Sequence, residues 1–211
     1  MELITKYFSE FTSGQMTQLA ALDELYSTWN TKINVISRKD IDSLYEKHIL
    51  HSLSIAAVFN FPAGTEIIDI GTGGGFPGIP LAIFFPDVQF HLVDSIAKKL
   101  KVVDDIAATI GLTNVSTEHT RAESIRNRKF DFAVSRAVAP LKDLWQWSKP
   151  LLRGTKSAGE EDRPSNGLIC LKGGDLSLEI QESRTRPRIM EISEIFPEPY
   201  FTEKFMLYVP V

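Results

Sequence analysis

The sequence predicts an α/β fold with a mainly parallel sheet, an antiparallel C-terminal strand and a helical lead at the N-terminus. Three observations carry this. From Thr65 onward, short Ile-, Val- and Leu-rich runs alternate with longer amphipathic ones, the pattern of strand–helix–strand units. At the first strand–helix junction, five glycines fall within the eight residues 71–78. Near the C-terminus only eight residues, 196–203, separate two apolar runs. That is too short for a crossover helix, so this last pair runs antiparallel.

Taken in order, residues 1–30 read as helix, because Leu19, Leu22, Tyr26 and Trp29 recur three and four apart; Ser13 or Thr17 is positioned to cap it. Residues 30–38 break the pattern. Asp40 then reads as the cap of a second long helix whose apolar face is Leu44, Ile49, Leu53, Ala56 and Ala57, closed by Phe61-Pro62-Ala63-Gly64. This divides the chain into a helical extension, 1–62, and a sheet-bearing domain, 63–211, expected to form one compact unit. Strands are predicted at 65–70, 88–93, 114–118, 130–135 and 167–172, with helices at 78–86, 96–110, 141–152 and 174–183. Gly111 ends the second of these helices. The polar, Gly- and Ser-rich stretch 153–166 reads as a surface loop, and 189–195 and 204–209 as the antiparallel pair.

Composition narrows the function classes. At 211 residues, 43% hydrophobic and 24% charged, the chain suits one soluble domain with a small appendage. A net charge of −4 argues against a uniformly basic nucleic-acid binder and leaves room for a local basic patch. Cys170, the one cysteine, excludes an internal disulfide and sits in an apolar run as a buried, inert thiol, which fits a reducing cytoplasm. No apolar run is long enough to span a membrane, and residues 1–7 lack the charged and apolar regions of a secretory signal. Four histidines form no metal-ligand cluster; His48 and His51 lie three apart on a helix with no third ligand beside them.

The glycine stretch carries the strongest chemical signal. An Ile-rich strand ends in Asp69, the glycines follow, and Pro80 suits the first turn of the next helix. Glycine lets a ligand approach bare backbone, and the helix N-terminus adds unpaired N–H groups. Two spacings coexist. Gly73, Gly75 and Gly78 form the dinucleotide fingerprint, while Asp69, Gly71, Gly73 and Gly75 alternate in a way that resembles the cofactor loop of class I S-adenosylmethionine methyltransferases. Asp94, closing the second strand, is the acid that either cofactor needs for its ribose hydroxyls. The antiparallel ending tilts the choice toward the methyl donor, because a dinucleotide domain usually continues parallel.

Three further stretches follow strand ends, where open α/β sheets bind ligands. They are His119-Thr120-Arg121-Ala122-Glu123, Ser135-Arg136-Ala137 and Lys172-Gly173-Gly174. In methyltransferases of this fold the first bounds adenine, and at the second the methyl group meets its acceptor. Arg121, Arg136 and Lys172 are expected to line one basic rim.

With the motifs Asn34-Val35-Ile36-Ser37-Arg38, Lys47-His48-Ile49-Leu50-His51-Ser52, Gly73-Gly74-Gly75-Phe76-Pro77-Gly78-Ile79-Pro80, Leu92-Val93-Asp94-Ser95, Arg121-Ala122-Glu123, Ser135-Arg136-Ala137 and Leu171-Lys172-Gly173, residues 30–175 closely resemble the bacterial RsmG (GidB) family. Members are 16S ribosomal RNA guanine-N7 methyltransferases. The resemblance implies the class I methyltransferase (Rossmann-like) fold and S-adenosyl-L-methionine as cofactor. It implies that Gly71, Gly73, Gly75 and Phe76 cradle the methionine part of the donor, that Asp94 takes the ribose and that Ala122 and Glu123 bound the adenine. Arg136 is then expected at the donor's reactive end, with Arg121 and Lys172 as further catalytic-site cations, and Asn34, Arg38 and His48 on the substrate side. His51 departs from the family pattern, which usually has an acid there, and takes no role from it.

Guanine N7 has an in-plane lone pair and no proton, so such a site relies on positioning and electrostatics, with no general base, and on a flipped or unpaired guanine. Phosphate grip is expected from Lys98, Lys99, Lys101, Arg121, Arg126, Arg128, Arg136, Lys172, Arg184, Arg186 and Arg188; the lysines of the predicted helix 96–110 also read simply as the solvated face of an amphipathic helix. The implied partner is 16S RNA or the small ribosomal subunit, with the protein a cytoplasmic monomer, no metal and no membrane. The alternatives are a methyltransferase acting on a small molecule or another RNA, a nicotinamide-dependent oxidoreductase, and a donor-binding regulator without turnover.

Overall fold

The computed structural model describes residues 1–37, 39–154 and 165–211. Seven strands form one sheet in the order β3-β2-β1-β4-β5-β7-β6. They are β1 Glu66–Ile70, β2 Gln89–Asp94, β3 Val115–His119, β4 Phe132–Arg136, β5 Gly167–Gly173, β6 Arg188–Glu191 and β7 Lys204–Pro210. The first five pair parallel; β7 inserts between β5 and β6 and runs antiparallel to both. The expected antiparallel ending is therefore present, with the first of its strands shortened because Ile192–Glu194 turns into a 3₁₀ helix.

Side chains alternate across the sheet as the pleat requires. Ile67, Phe90, Leu92, Phe132, Val134, Ile169 and Leu171 belong to one apolar layer, and Ile68, Ile70, Val93, Ala133, Leu168 and Cys170 to the other. The first layer is covered by α1 Glu2–Tyr7, α2 Ser13–Asn30, α3 His51–Val58, α4 Gly78–Phe84 and α5 Ala97–Thr109. The second is covered by α6 Leu141–Ser148 and residues flanking and within α7 Ser177–Ser183. The helical lead thus shares its core with the sheet: Ile4, Leu19, Leu22, Tyr26 and Leu53 are fully buried there. Cys170 is also buried, and burial pushes its thiol up to about 12, as expected of an inert cysteine.

The lead differs from its sequence reading in two places. Residues 1–30 are two helices, and α2 is capped by Thr12, with neither Ser13 nor Thr17 in that role. Thr12 Oγ1 accepts from the Gln15 amide at 3.2 Å while Gln15 Oε1 accepts from the Thr12 amide at 2.8 Å, so two otherwise unpaired donors are satisfied reciprocally. Asp40 caps no long helix. Its carboxylate is taken by Lys47 Nζ at 2.6 Å, and the chain runs through a 3₁₀ turn, Ile41–Ser43, and a π-helical segment, Tyr45–Leu50, before α3 begins. Helix 141–152 stops at Ser148, because Pro150 has no amide to donate, and ends in the 3₁₀ turn Lys149–Leu151. Residues 155–164 of the expected 153–166 loop lie outside the described residues.

Candidate active site

The carboxyl ends of the central strands open onto three adjoining clefts. The middle one, about 380 Å³, is floored by the glycine turn after β1. Gly71, Gly73 and Gly75 all hold positive φ, at 68°, 59° and 95°. A Cβ on Gly71 would lie 2.6 Å from Val138 Cγ2, so both backbone conformation and close approach require glycine there. Gly75 answers to a different neighbour. The place of its Cβ is taken by Ile79 Cγ1 at 2.6 Å, and Gly75 does not line the cleft, so its glycine serves the packing of the turn on α4 rather than the expected contact with cofactor.

The turn is pinned from below. Asp69 Oδ2 accepts from Thr72 Oγ1 at 2.6 Å and from the Gly78 amide at 2.9 Å. Buried Tyr26 donates to the Gly74 carbonyl at 2.6 Å; burial raises its pKa well above the phenol range, so it stays a donor. Asp69 is completely enclosed. Burial lifts its pKa to about 7, against the Thr72 and Gly78 bonds, which favour the carboxylate.

Asp94 sits where the sequence placed the ribose acid. Oδ2 accepts from the Gly73 amide at 2.9 Å and Oδ1 from the Ile96 amide at 2.8 Å. Each oxygen keeps acceptor capacity, so the carboxylate is oriented yet available to a diol. Ala122 and Glu123 line the second cleft, about 250 Å³, which also touches Gly71, Asp94 and Val138 and so continues the first. Ile96 and Val138 are apolar residues left 40% and 42% exposed at these clefts. Sequence reasoning missed them, although an isoleucine in a turn two residues beyond Asp94 was a usable signal. Together these groups fit S-adenosylmethionine: backbone for its amino-acid end, an acid for the diol and apolar walls for the purine.

Arg136, at the end of β4, borders both the first cleft and a third cavity of about 290 Å³. Its guanidinium stacks 4.9 Å from the Phe76 ring centre, and it donates to the Lys47 carbonyl at 3.1 Å and to His48 Nδ1 at 2.8 Å. Ala137 follows at φ 51°, a left-handed conformation uncommon outside glycine that turns the chain away from the sheet at this junction. Lys172 also lines the third cavity, nearly buried, paired with Glu179 at 2.5 Å and donating to the Ala139 carbonyl. His48 and His51 stand in the same wall. Burial, reinforced by Arg136, lowers each imidazole to about 3, so both are neutral. Sequence reasoning missed Lys47, Tyr200 and Lys204 here, and had no role for His51.

The single basic rim does not form. Arg121 lines the second cleft, its side chain 73% exposed and 3.8 Å from Glu123, while Arg136 and Lys172 meet at the third cavity. The cause is strand order: β3 is at the sheet edge, with β2 and β1 between it and β4. Asn34 is exposed and lines none of the three clefts; its neighbour Val35 lines the first. Arg38 lies outside the described residues. Lys99 reaches the first cleft, whereas Lys98, Lys101, Arg126, Arg128, Arg184, Arg186 and Arg188 are exposed. Among the described residues no His, Cys, Asp and Glu group could hold a metal, and no helix is long and apolar enough to cross a membrane.

This strand order, with a glycine turn after β1 and an acid closing β2, defines a class I S-adenosylmethionine-dependent methyltransferase. The fold is similar to that of a SAM dependent methyltransferase from Aquifex aeolicus, with a TM-score of 0.56 at 16% identity over 82% of this chain and 98% of that one. It is also similar to MtNAS in complex with MTA and tNA, with a TM-score of 0.61 at 14% identity over 93% and 69%. The family profile GidB, rRNA small subunit methyltransferase G, matches residues 15–195. A ribosomal RNA small subunit methyltransferase G from Phocaeicola vulgatus is 54% identical over 211 residues, 100% of this chain and 99% of that protein. The protein of the same name from Cytophaga hutchinsonii is 48% identical over 100% and 99%. The chain belongs to the rRNA small subunit methyltransferase G family.

Proposed function

We propose that the protein methylates N7 of one guanine in 16S ribosomal RNA, in the cytoplasm and as a monomer. The observation that carries this reading is Arg136, which borders a cleft suited to the methyl donor and a separate cavity rich in cations. Bound S-adenosylmethionine supplies an electrophilic methyl group on a sulfonium. Gly71, Gly73 and Phe76 hold its methionine end, Asp94 its ribose, and Ala122, Glu123, Ile96 and Val138 its adenine. Arg136 orients the acceptor base, Lys204 offers positive charge to the RNA, and Lys172 and Lys47, held by Glu179 and Asp40, shape the cavity wall. Arg121, beside the adenine cleft, grips RNA backbone rather than the reacting base. We read residues 1–62 as an extension that gives the acceptor cavity one wall, through Lys47, His48 and His51. N7 needs no deprotonation, so neutral histidines suit this cavity and catalysis rests on alignment.

The test uses small subunits from cells lacking the protein and labelled S-adenosylmethionine. Label should enter 16S RNA at a single position, and aniline cleavage with primer extension should identify it as N7-methylguanine. Label confined to small molecules would instead favour a small-molecule acceptor.

A further inference from the structure

Gly74 lines the donor cleft but lacks the positive φ of Gly71, Gly73 and Gly75, so backbone conformation does not require glycine there. Close approach does. A Cβ on Gly74 would lie 3.2 Å from Val35 Cβ and 3.3 Å from the Val35 carbonyl oxygen, tighter than side chains ordinarily pack. Val35 comes from the helical lead, in the irregular segment 31–37 after α2, and it lines the same cleft. One side chain holds that segment. Asn30, the last residue of α2, accepts from the Val35 and Ile36 amides on Oδ1, at 3.0 Å each, and donates to the Ile36 carbonyl at 2.9 Å. Backbone groups that no helix or strand satisfies are thereby paired. Ile36 is buried in the core, which anchors the far side of Val35. Tyr26, one turn earlier on α2, holds the other partner. Its hydroxyl donates to the Gly74 carbonyl at 2.6 Å, and its ring lies 4.9 Å from that of Phe76. Trp29 Nε1 donates to Asp105 at 2.7 Å and ties the end of α2 to α5.

Val35 meets the cleft at Gly74, which lies between Gly73 and Phe76 in the chain, and those neighbours hold the methionine end of the donor in the reading above. Resting on that reading, and not on which base is methylated, we infer that Val35 is a further donor-binding residue, its isopropyl group covering the aliphatic chain in the methionine part of S-adenosylmethionine. Asn30 and Tyr26 are positioning residues: Asn30 fixes Val35 and Tyr26 fixes Gly74. They stand four apart on α2, so one helix face sets both sides of the contact. An apolar wall here takes carbon surface of the donor out of water, a gain that scales with the area covered. The helical lead therefore borders both sites, the donor cleft through Val35 and the third cavity through Lys47, His48 and His51. A sheet domain without it would lack one wall of each.

Calorimetry on the full-length protein tests this with two probes, S-adenosylmethionine and adenosine, which lacks the methionine chain. Val35→Ala truncates a half-buried side chain and should leave the fold intact. It should weaken S-adenosylmethionine binding about fivefold, by returning carbon surface to water, and keep adenosine within about twofold of the parent. Asn30→Ala and Tyr26→Phe should show the same selective loss. Adding Asn30→Ala to Val35→Ala should cost less than about twofold further, because Asn30 acts through Val35. A merely structural role would lower urea midpoints and weaken both probes alike. Unchanged S-adenosylmethionine affinity in Val35→Ala overturns the inference, as does an equal loss of both probes. Additive losses in the double variant overturn the positioning role of Asn30. A parent protein that binds the two probes equally overturns the placing of the methionine end on the glycine turn, and this inference with it.

Discussion

The donor cleft and the cavity we assign to the acceptor meet at Arg136 and Ala137 but are built from different material. The donor cleft is largely backbone, a turn of glycines held at positive φ and tied to Asp69, Asp94 and Tyr26 by main-chain hydrogen bonds. The acceptor cavity is side chain: His48 and His51 from the helical lead, Arg136 from β4, Lys172 from β5, Tyr200 and Lys204 from the C-terminal segment. A backbone site suits a ligand that never changes. A side-chain site, with imidazoles held neutral and a guanidinium held in place, can be matched to one particular acceptor by changing a few residues.

Predictions that separate the two regions follow, in order of size. Arg136→Ala should lower methyl transfer by about a thousandfold, since it removes the group that aligns the acceptor base with the methyl donor. Donor affinity by calorimetry should change far less, and circular dichroism should show the fold retained. Equal losses in both would mean that the regions are not separable. Gly71→Ala attacks the other side. Its Cβ meets Val138 at 2.6 Å in a left-handed conformation, and strain plus overpacking of about 3 kcal/mol should weaken donor binding about a hundredfold.

Acid stability should divide the regions as well. The folded pKa of His48 and His51 is lowered to about 3 from 6.5, so the unfolded chain takes up protons first as pH falls. Their contribution is complete above 6.5 and drains away toward 3, roughly 2 kcal/mol per ring by pH 5. Asp69 slopes the other way. Its folded pKa is raised to about 7 from 3.8, so its cost is absent below 3.8 and grows until pH passes 7. Urea midpoints at pH 7.5 and 5 should show His51→Phe losing less stability on acidification than the parent, and Asp69→Asn losing more. The smallest effect is at the ribose acid. Asp94→Asn keeps acceptors for the Gly73 and Ile96 amides on one oxygen only, and donor affinity should fall about tenfold.

The difference between the two regions also explains what was legible in the sequence. The glycine turn and Asp94 were legible because their geometry is local: a strand, a turn and a helix start within residues 66–84, and the acid closes the next strand. The antiparallel ending was legible because eight residues cannot cross a sheet. The basic rim misled, because sequence gives the ends of strands but not their order, and β3 lies at the edge. The cap at Thr12 was missed in favour of Ser13 or Thr17, since the deciding bond is the return contact from Gln15. Ile96 and Val138 were passed over as ordinary apolar residues until the fold left them exposed at the clefts.

By itself the sequence determined the order of strands and helices along the chain, the cofactor turn, its paired acids and, by resemblance, the family. Those properties depend on backbone preferences and periodicities that act over a few residues. Tertiary structure alone decided which strand ends share a cavity, which cations stand together and which nitrogen of His48 carries the proton. That last assignment is made by Arg136, 88 residues away in sequence. Burial and hydrogen bonding between distant segments set such states, and neither is expressed in local spacing.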